Sequence, residues 1–596
     1  MEELGKKEEN KIDKSINSFV NFIFSKDERK WLILIVFLGA ILRFLMARNV
    51  SALGDEFIHG PHAIGFLHSG LISTILHCPL WFYLTDIAMR IFGVTMFSTR
   101  FLSLFYGTLS ILVVYLISSK IFDKRIGLIS AFLLSISFYT IRYTLIEMDL
   151  SALFFLILAI YLFIISLEKN KFPYLAAVCI GLASLIKTLS LFFVPAFLIG
   201  FFIFNHRKEN IKKNIKNIVL FGIIILLFFS PILIHNYLWY KDKGKVDTYF
   251  AQYFFPELRA DYAGQMGYAS GFLFSDFLMG LKSLTKDFFT ELDPIIFSLG
   301  ILGILFSFSL KEKKRFWFFL ISFNLFGFLF LLLSNHLQTH YTTLVPMICI
   351  FAGFFVDKLS KNIKTMNPKK ALAIILILIF IFQIYLLSSY LASTNALTKM
   401  RNYAISDMNK NSLVVVDGRI YRGRIAWLFN DFHYIESSYF NEILTQNNNL
   451  PGEAVSTKIY FIECGVDDSG WGAAQVKPIN ESTEQIVSFF SNYTSPEKII
   501  YGGGGYVEDP SQQVFKVYSL IVPLKPQIIE IADSTHRWFY YPVNYIPKEQ
   551  IFDYYNVYGV MDNLIYKFAW IILISSIILA IIFPIIPFFE IIKKNK

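Results

Sequence analysis

The sequence predicts an α-helical polytopic membrane protein of about 12 transmembrane helices with an extracytoplasmic mixed α/β soluble domain. Three observations predict the membrane part and its companion. Of 596 residues, 55% are hydrophobic and 64 are phenylalanine, and the mean hydropathy of +0.52 exceeds what a soluble core requires. The apolar residues come in blocks of about 15 to 24, close to the roughly 20 that one crossing needs. Lys and Arg gather in the short loops between blocks, as on a cytoplasmic face, so the net charge of +10 is not a nucleic-acid footprint.

The leader, residues 1–30, is rich in Lys and places the N-terminus in the cytoplasm. It lacks the short basic region and small-residue cleavage site of a signal peptide, so the first apolar run (31–48) is expected to be retained. That run exits to 53–80, LGDEFIHGPHAIGFLHSGLISTILHCPL, which sets Asp55, Glu56 and four histidines (His59, His62, His68, His77) beside the membrane. Residues 79–93 are too short and polar to span, and their aromatics suit an interfacial helix.

Spans are then expected at 98–119, 126–142 and 150–167. The apolar block 172–205 is too long for one crossing and reads as two short helices with Lys187 at the outer turn. Further spans follow at 217–240, 295–310, 316–334, 341–357 and 371–393, with a structured outer loop over 241–294. Residues 31–393 form the catalytic membrane domain in this reading. Residues 394–566 lose the apolar blocks and alternate β-rich runs (SLVVVDG, KIYFIEC, QVFKVYSLIV) with polar segments, which predicts the soluble domain. A last span (566–590) opens the C-terminal segment 567–596 and returns the chain to a basic cytoplasmic tail.

The sequons at Asn49, Asn480 and Asn492 all fall on segments assigned outside. The four cysteines, Cys78, Cys179, Cys349 and Cys464, show neither a disulfide framework nor a zinc spacing. The glycine run 502–505 lacks the Lys and Ser/Thr of a phosphate-binding loop and reads as a flexible loop.

Ionisable groups beside a spanning helix mark a functional site by default. The competing reading of Asp55 is a helix N-cap, and the same applies to Asp149. Glu56, His59 and His62 are spaced closely enough to share a metal ion, which makes a divalent metal the alternative to having no cofactor. Tyr249, Tyr253, Phe254 and Phe255 are candidates for stacking on a ligand, or for plain interfacial packing.

Several features occur in a telling order: Asp55-Glu56 after the first span, His77-Cys78-Pro79-Leu80, FGVTMFSTR with Arg100, IFDKRIGLISAFLLSIS, Asp149, GLASLIKTLSLFFVP around Lys187, and HYTTLVP beginning at His340. Over about residues 30–360 this order resembles the GT-C glycosyltransferases, within them the family of protein O-mannosyltransferases and bacterial lipid A aminoarabinose transferases. Cys78-Pro79 stands where relatives often carry two prolines, and His340-Tyr341 where they carry Arg-Tyr. The resemblance implies a plasma-membrane enzyme that takes a sugar from a polyprenyl-phosphate donor and passes it to a protein, lipid or glycan acceptor outside the cell.

Such a transfer needs a base for the acceptor hydroxyl and positive charge for the departing phosphate. The resemblance places the base at Asp55, with Glu56 as its neighbour or as the base itself. Asp149, near Glu147, orients the acceptor or balances cations. His77, Arg100, Arg142, Lys187 and His340 are the candidate phosphate contacts, each against the alternative of a snorkelling interfacial side chain. The rival classes are a transporter or flippase of a lipid-linked sugar, whose charges would lie mid-bilayer on repeated broken helices, and a non-catalytic sensor.

Overall fold

The computed structural model describes residues 28–49, 56–63, 78–145, 148–204, 211–244, 246–247, 274–286, 293–308, 314–332, 338–391, 396–420, 422–464, 481–502, 513–535 and 556–593. In chain order the helices up to the outer segment are α1 (Glu28–Asn49), α2 (Glu56–Ala63), α3 (Pro79–Phe92), α4 (Met96–Ile121), α5 (Lys124–Ile136), α6 (Phe138–Arg142), α7 (Met148–Glu168), α8 (Tyr174–Ile186), α9 (Val194–Phe204) and α10 (Ile211–Lys243). After it come α11 (Phe274–Lys286), α12 (Pro294–Ser307), α13 (Lys314–Leu331), α14 (Val345–Asn362) and α15 (Pro368–Leu391).

Among the described residues, 8 helices are long and apolar enough to cross a membrane, and three shorter apolar helices accompany them. Twelve uninterrupted spans are not what these residues show, and the local causes are visible. The block expected as two short helices is α8, an extended Lys187 (φ −150°, ψ 119°), a 3-10 turn over Thr188–Phe193, and α9. The span expected at 126–142 is broken at Ser137 (φ −56°, ψ 112°) into α5 and α6.

A break inside a membrane leaves backbone groups without partners, and each must be answered by the protein. Here Arg43 of α1 donates to the carbonyls of Leu134 (3.2 Å) and Ser135 (3.3 Å) and to the Thr140 hydroxyl (2.9 Å). On the far side, Phe138 N–H donates to Gln383 Oε1 (2.8 Å), while Gln383 and Ser137 both donate to Asp293 (2.6 and 2.9 Å). The sequence reading missed Arg43, although an arginine inside an apolar run is itself a signal.

α3 differs from its expectation too. It is a helix, but Pro79 through Asp86 are all buried, so it packs within the protein, against α4 and α8, rather than lying on the membrane surface. Small residues set the closest helix approach: a Cβ on Gly303 of α12 would sit 2.0 Å from the Phe351 carbonyl of α14, so only glycine permits this contact.

The soluble domain runs α16 (Ala396–Asp407), β1 (Leu413–Val416), α17 (Arg422–Phe429), β2 (His433–Glu436), α18 (Phe440–Asn449), β3 (Val455–Cys464), α19 (Glu481–Tyr493), β4 (Lys498–Tyr501), β5 (Gln513–Leu524) and α20 (Gln527–Thr535). The sheet order is β2-β1-β3-β5-β4, with β1 parallel to β2 and β3 and the β3–β5 and β4–β5 pairs antiparallel. β1 is buried on both faces because helices cover both. Val414 and Val416 pack with Ile425 and Leu428, whereas Leu413 and Val415 pack with Phe440, Ile486 and Ile528.

At the carboxyl ends of β1 and β3, where such sheets usually admit a ligand, the Asp417 carboxylate accepts from Cys464 N–H (3.0 Å) and pairs with Arg419 (2.6 Å). The chain ends with α21 (Gly559–Ile582) and α22 (Ile586–Lys593), tied back to the bundle by Tyr106 O–H donating to the Ala580 carbonyl (3.0 Å) and by Lys241–Asp562 (2.6 Å).

Candidate active site

α2 carries Glu56 in its first turn and lies against α3 and α17. The Glu56 carboxylate is 4% exposed. It accepts from Arg100 Nε and Nη2, both at 2.7 Å, and Arg100 Nη1 donates to the Ala47 carbonyl (2.9 Å). One guanidinium thereby ties the end of α1, the start of α2 and α4 together. Bidentate geometry of this kind is among the strongest charged contacts. Arg100, expected at the donor phosphate, is instead fully buried and engaged by Glu56.

Glu56 is correspondingly held as an acceptor for Arg100, which suits positioning better than proton transfer. Asp55, His68, His77 and Glu147 lie outside the described residues, as do the side chain of His62 in α2 and Tyr249, Tyr253, Phe254 and Phe255. Their proposed roles rest on the sequence. His59 is buried, its ring edge-on to Trp81 (6.2 Å) and Phe82 (6.4 Å) of α3, which locks α2 onto the first turns of α3.

On the other side of α3, Cys78 Sγ lies 3.0 Å from Thr188 Oγ1, bringing the N-terminus of α3 to the turn after α8. The residue before that threonine is Lys187. Its ammonium meets Asp149, in the first turn of α7, at 2.5 Å. Asp149 is 3% exposed on its side chain and Lys187 is 17% exposed, so the pair is shielded from water with the cation on the open side. Both were expected at the site, and the fold brings them together.

Tyr139, two residues past the break at Ser137, has Asp149 and Tyr341 as electrostatic neighbours, which links the break to the same corner. His340 sits in the 3-10 turn Gln338–Leu344, 9% exposed, edge-on to Phe330 at 5.5 Å. Arg142 ends α6 with its guanidinium 5.6 Å from the Tyr143 ring centroid.

Asp247 is an acid that the sequence reading passed over. Its N–H donates to Asn236 Oδ1 (2.8 Å), its carboxylate accepts from Asn236 Nδ2 (2.5 Å), and it is an electrostatic neighbour of Cys78. The signal was available, because a carboxylate just past the span 217–240 follows the same logic that singled out Asp55. Among the described residues, no group of three or more His, Cys, Asp or Glu is placed to hold a metal ion.

The soluble domain reaches this region through α17, which packs on α2. Arg401 of α16 pins the contact: it donates to the Leu428 carbonyl (2.6 Å), pairs with Asp431 (2.6 Å), and reaches the Val94 carbonyl (3.5 Å) just before α4.

Residues 76–235 match the family model described as dolichyl-phosphate-mannose-protein mannosyltransferase. The fold is similar to ArnT from Cupriavidus metallidurans. The undecaprenyl-phosphate-bound form has a TM-score of 0.50 at 10% identity, and the apo form 0.51 at 11%. Each comparison covers 82% of this chain and 98% of the other. The oligosaccharyltransferase from Archaeoglobus fulgidus shows a TM-score of 0.45 at 14% identity, covering 74% of this chain and 70% of that one. No curated protein matches the chain by sequence.

The matched segment, about a quarter of the chain, contains Arg100, Asp149 and Lys187 and is similar to the dolichyl-phosphate-mannose-protein mannosyltransferases.

Proposed function

We propose that this protein moves one sugar from a polyprenyl-phosphate donor to a hydroxyl of a protein, lipid or glycan acceptor on the extracytoplasmic face of the plasma membrane. The observation that carries the reading is the arrangement around α3. Within the family-matched segment, Lys187, neutralised by Asp149, stands at the Cys78 end of that helix, and α2, the helix that follows Asp55, packs on its first turns.

In this reading Asp55 takes the proton from the acceptor hydroxyl as the hydroxyl oxygen bonds to the anomeric carbon and the bond to the phosphate oxygen breaks. The leaving lipid phosphate gains negative charge, which Lys187 meets as a point charge. Glu56 acts through Arg100 to hold α2 in place. Asp149 keeps Lys187 aimed, and His77, His340 and Arg142 are second contacts to the lipid phosphate. Charge is handled by side chains rather than by a metal.

The test is incubation of the purified protein with a panel of labelled polyprenyl-phosphate sugars and candidate acceptors. A mannosyl donor comes first, because the matched family description names mannose. Transfer from one donor, unaffected by EDTA and lowered at least about a hundredfold by Asp55→Asn, is the expected result. No transfer from any donor would remove the reading, and loss with EDTA that manganese restores would replace the side-chain account. The orientation has its own test: a reporter active only in the cytoplasm, fused near residue 410, should be silent.

A further inference from the structure

A second polar cavity lies far from the transfer site. Asp149 and Glu168 occupy the first turn and the last residue of the one continuous helix α7, a rise of about 28 Å at 1.5 Å per residue, roughly a bilayer's hydrocarbon thickness. At the Glu168 end, between the last turns of α4, α7 and α9 and the first turn of α13, is a cavity of about 580 Å³. Its lining includes Lys120, Lys314, Arg315, Glu168, Asn170 and Phe204.

The charges of this lining do not cancel. Glu168 is shared between Arg315 and Lys120, leaving three cations against one carboxylate. Three helix C-termini meet here, and their carbonyls would repel an anion if left open. Two of them are answered: Arg315 donates to the Lys120 carbonyl (2.8 Å) and Lys314 to the Phe204 carbonyl (2.9 Å). An ammonium has three N–H donors, and the bond to Phe204 uses one of those on Lys314. Phe204, with Phe122 and Leu167, adds apolar wall. Basic pockets between spanning helices at the headgroup level suit a phosphate-bearing lipid head.

We propose that this cavity binds the headgroup of an anionic phospholipid from the leaflet opposite the transfer site, its phosphate on Lys120, Lys314 and Arg315. The site is distinct from the donor site by the length of α7, and it is independent of the transfer reaction. The ligand bridges α13 to α4 and α9 and holds that end of the bundle closed.

Native mass spectrometry and thermal melting of the full chain test it, with dioleoylphosphatidylglycerol, dioleoylphosphatidylcholine and inorganic phosphate as probes. Wild type should retain phosphatidylglycerol at least about tenfold better than phosphatidylcholine and should melt higher with it. The Lys120→Gln/Lys314→Gln variant should bring the two lipids to near parity, since each surface cation accounts for roughly a fivefold preference. Lys358→Gln, an exposed cation off the cavity, should leave the preference intact and so separates a built site from general basicity. Equal retention of both lipids by wild type overturns the proposal. So does an unchanged preference in the double variant when its melting in phosphatidylcholine is normal, and so does stabilisation by inorganic phosphate alone, which would make the ligand a soluble anion. None of these outcomes bears on sugar transfer.

Discussion

Glu56 and Arg100, 44 positions apart in sequence, share a fully buried two-point contact in which each carboxylate oxygen receives one N–H at 2.7 Å. Breaking a buried pair from one side leaves a charge stranded, at a cost of about 3–5 kcal/mol, whereas replacing both partners by apolar groups is often close to neutral. Arg100→Met alone should therefore destabilise more than Glu56→Met/Arg100→Met, read as melting temperature in detergent. If the single and double variants melt together, the contact does not hold α2.

Lys187 and Asp149 should separate by kinetic role. Lys187→Met removes a cation from the departing phosphate and should lower kcat/KM for the lipid donor by about 10- to 100-fold, the range of a charge-assisted bond. Asp149→Asn keeps the cation but loosens its aim and should cost less. A donor titration in which Lys187→Met is indistinguishable from wild type would make the pair purely architectural.

Arg401 joins the soluble domain to the loop before α4 while α17 packs on α2. Arg401→Ala should lower kcat several-fold through misplaced α2 with donor KM unchanged, and Arg401→Lys should recover part of it. A change confined to KM would place Arg401 at substrate instead.

Acid should weaken the soluble domain through Glu497. Its carboxyl is held below the ordinary carboxylate range, first by the Ser519 hydroxyl and further by Lys458 and Tyr403. A carboxyl whose pKa is depressed by folding stabilises above the unfolded value of about 4.3, and that contribution disappears as pH falls through the lower folded value. The melting difference between wild type and Glu497→Gln should thus be constant near neutrality and shrink below about pH 4. A difference that grows with acid would reverse the assignment.

Much of this architecture was legible because the bilayer and the sheet each impose a period. Apolar runs gave the spans, and the β-rich LVVV and KIYFIEC runs, set between polar segments, gave β1 and β3. Lys187 was legible as an outer turn because a 34-residue block is about 51 Å of helix at 1.5 Å per residue, too much for one crossing. What the sequence could not show were pairings made only by folding. Arg100 reads equally well as a phosphate ligand until Glu56 is seen beside it. The break at Ser137 is invisible because FLLSISFYTI holds no charge, glycine or proline, and only partners 92 and 245 positions away make it affordable. α3 looked interfacial because its aromatics suit headgroups as well as they suit a protein interior.

Arg43 also bears on how the chain enters the membrane. An arginine within a spanning segment adds on the order of 1–3 kcal/mol to the cost of partitioning that helix alone, less toward its ends than at its centre. The carbonyls that receive it belong to Leu134 and Ser135, which leave the ribosome some 90 residues later. The first span is therefore an incomplete unit of insertion, settled only when α5 arrives, so the biogenesis of the N-terminal helix and of the fifth is a single event.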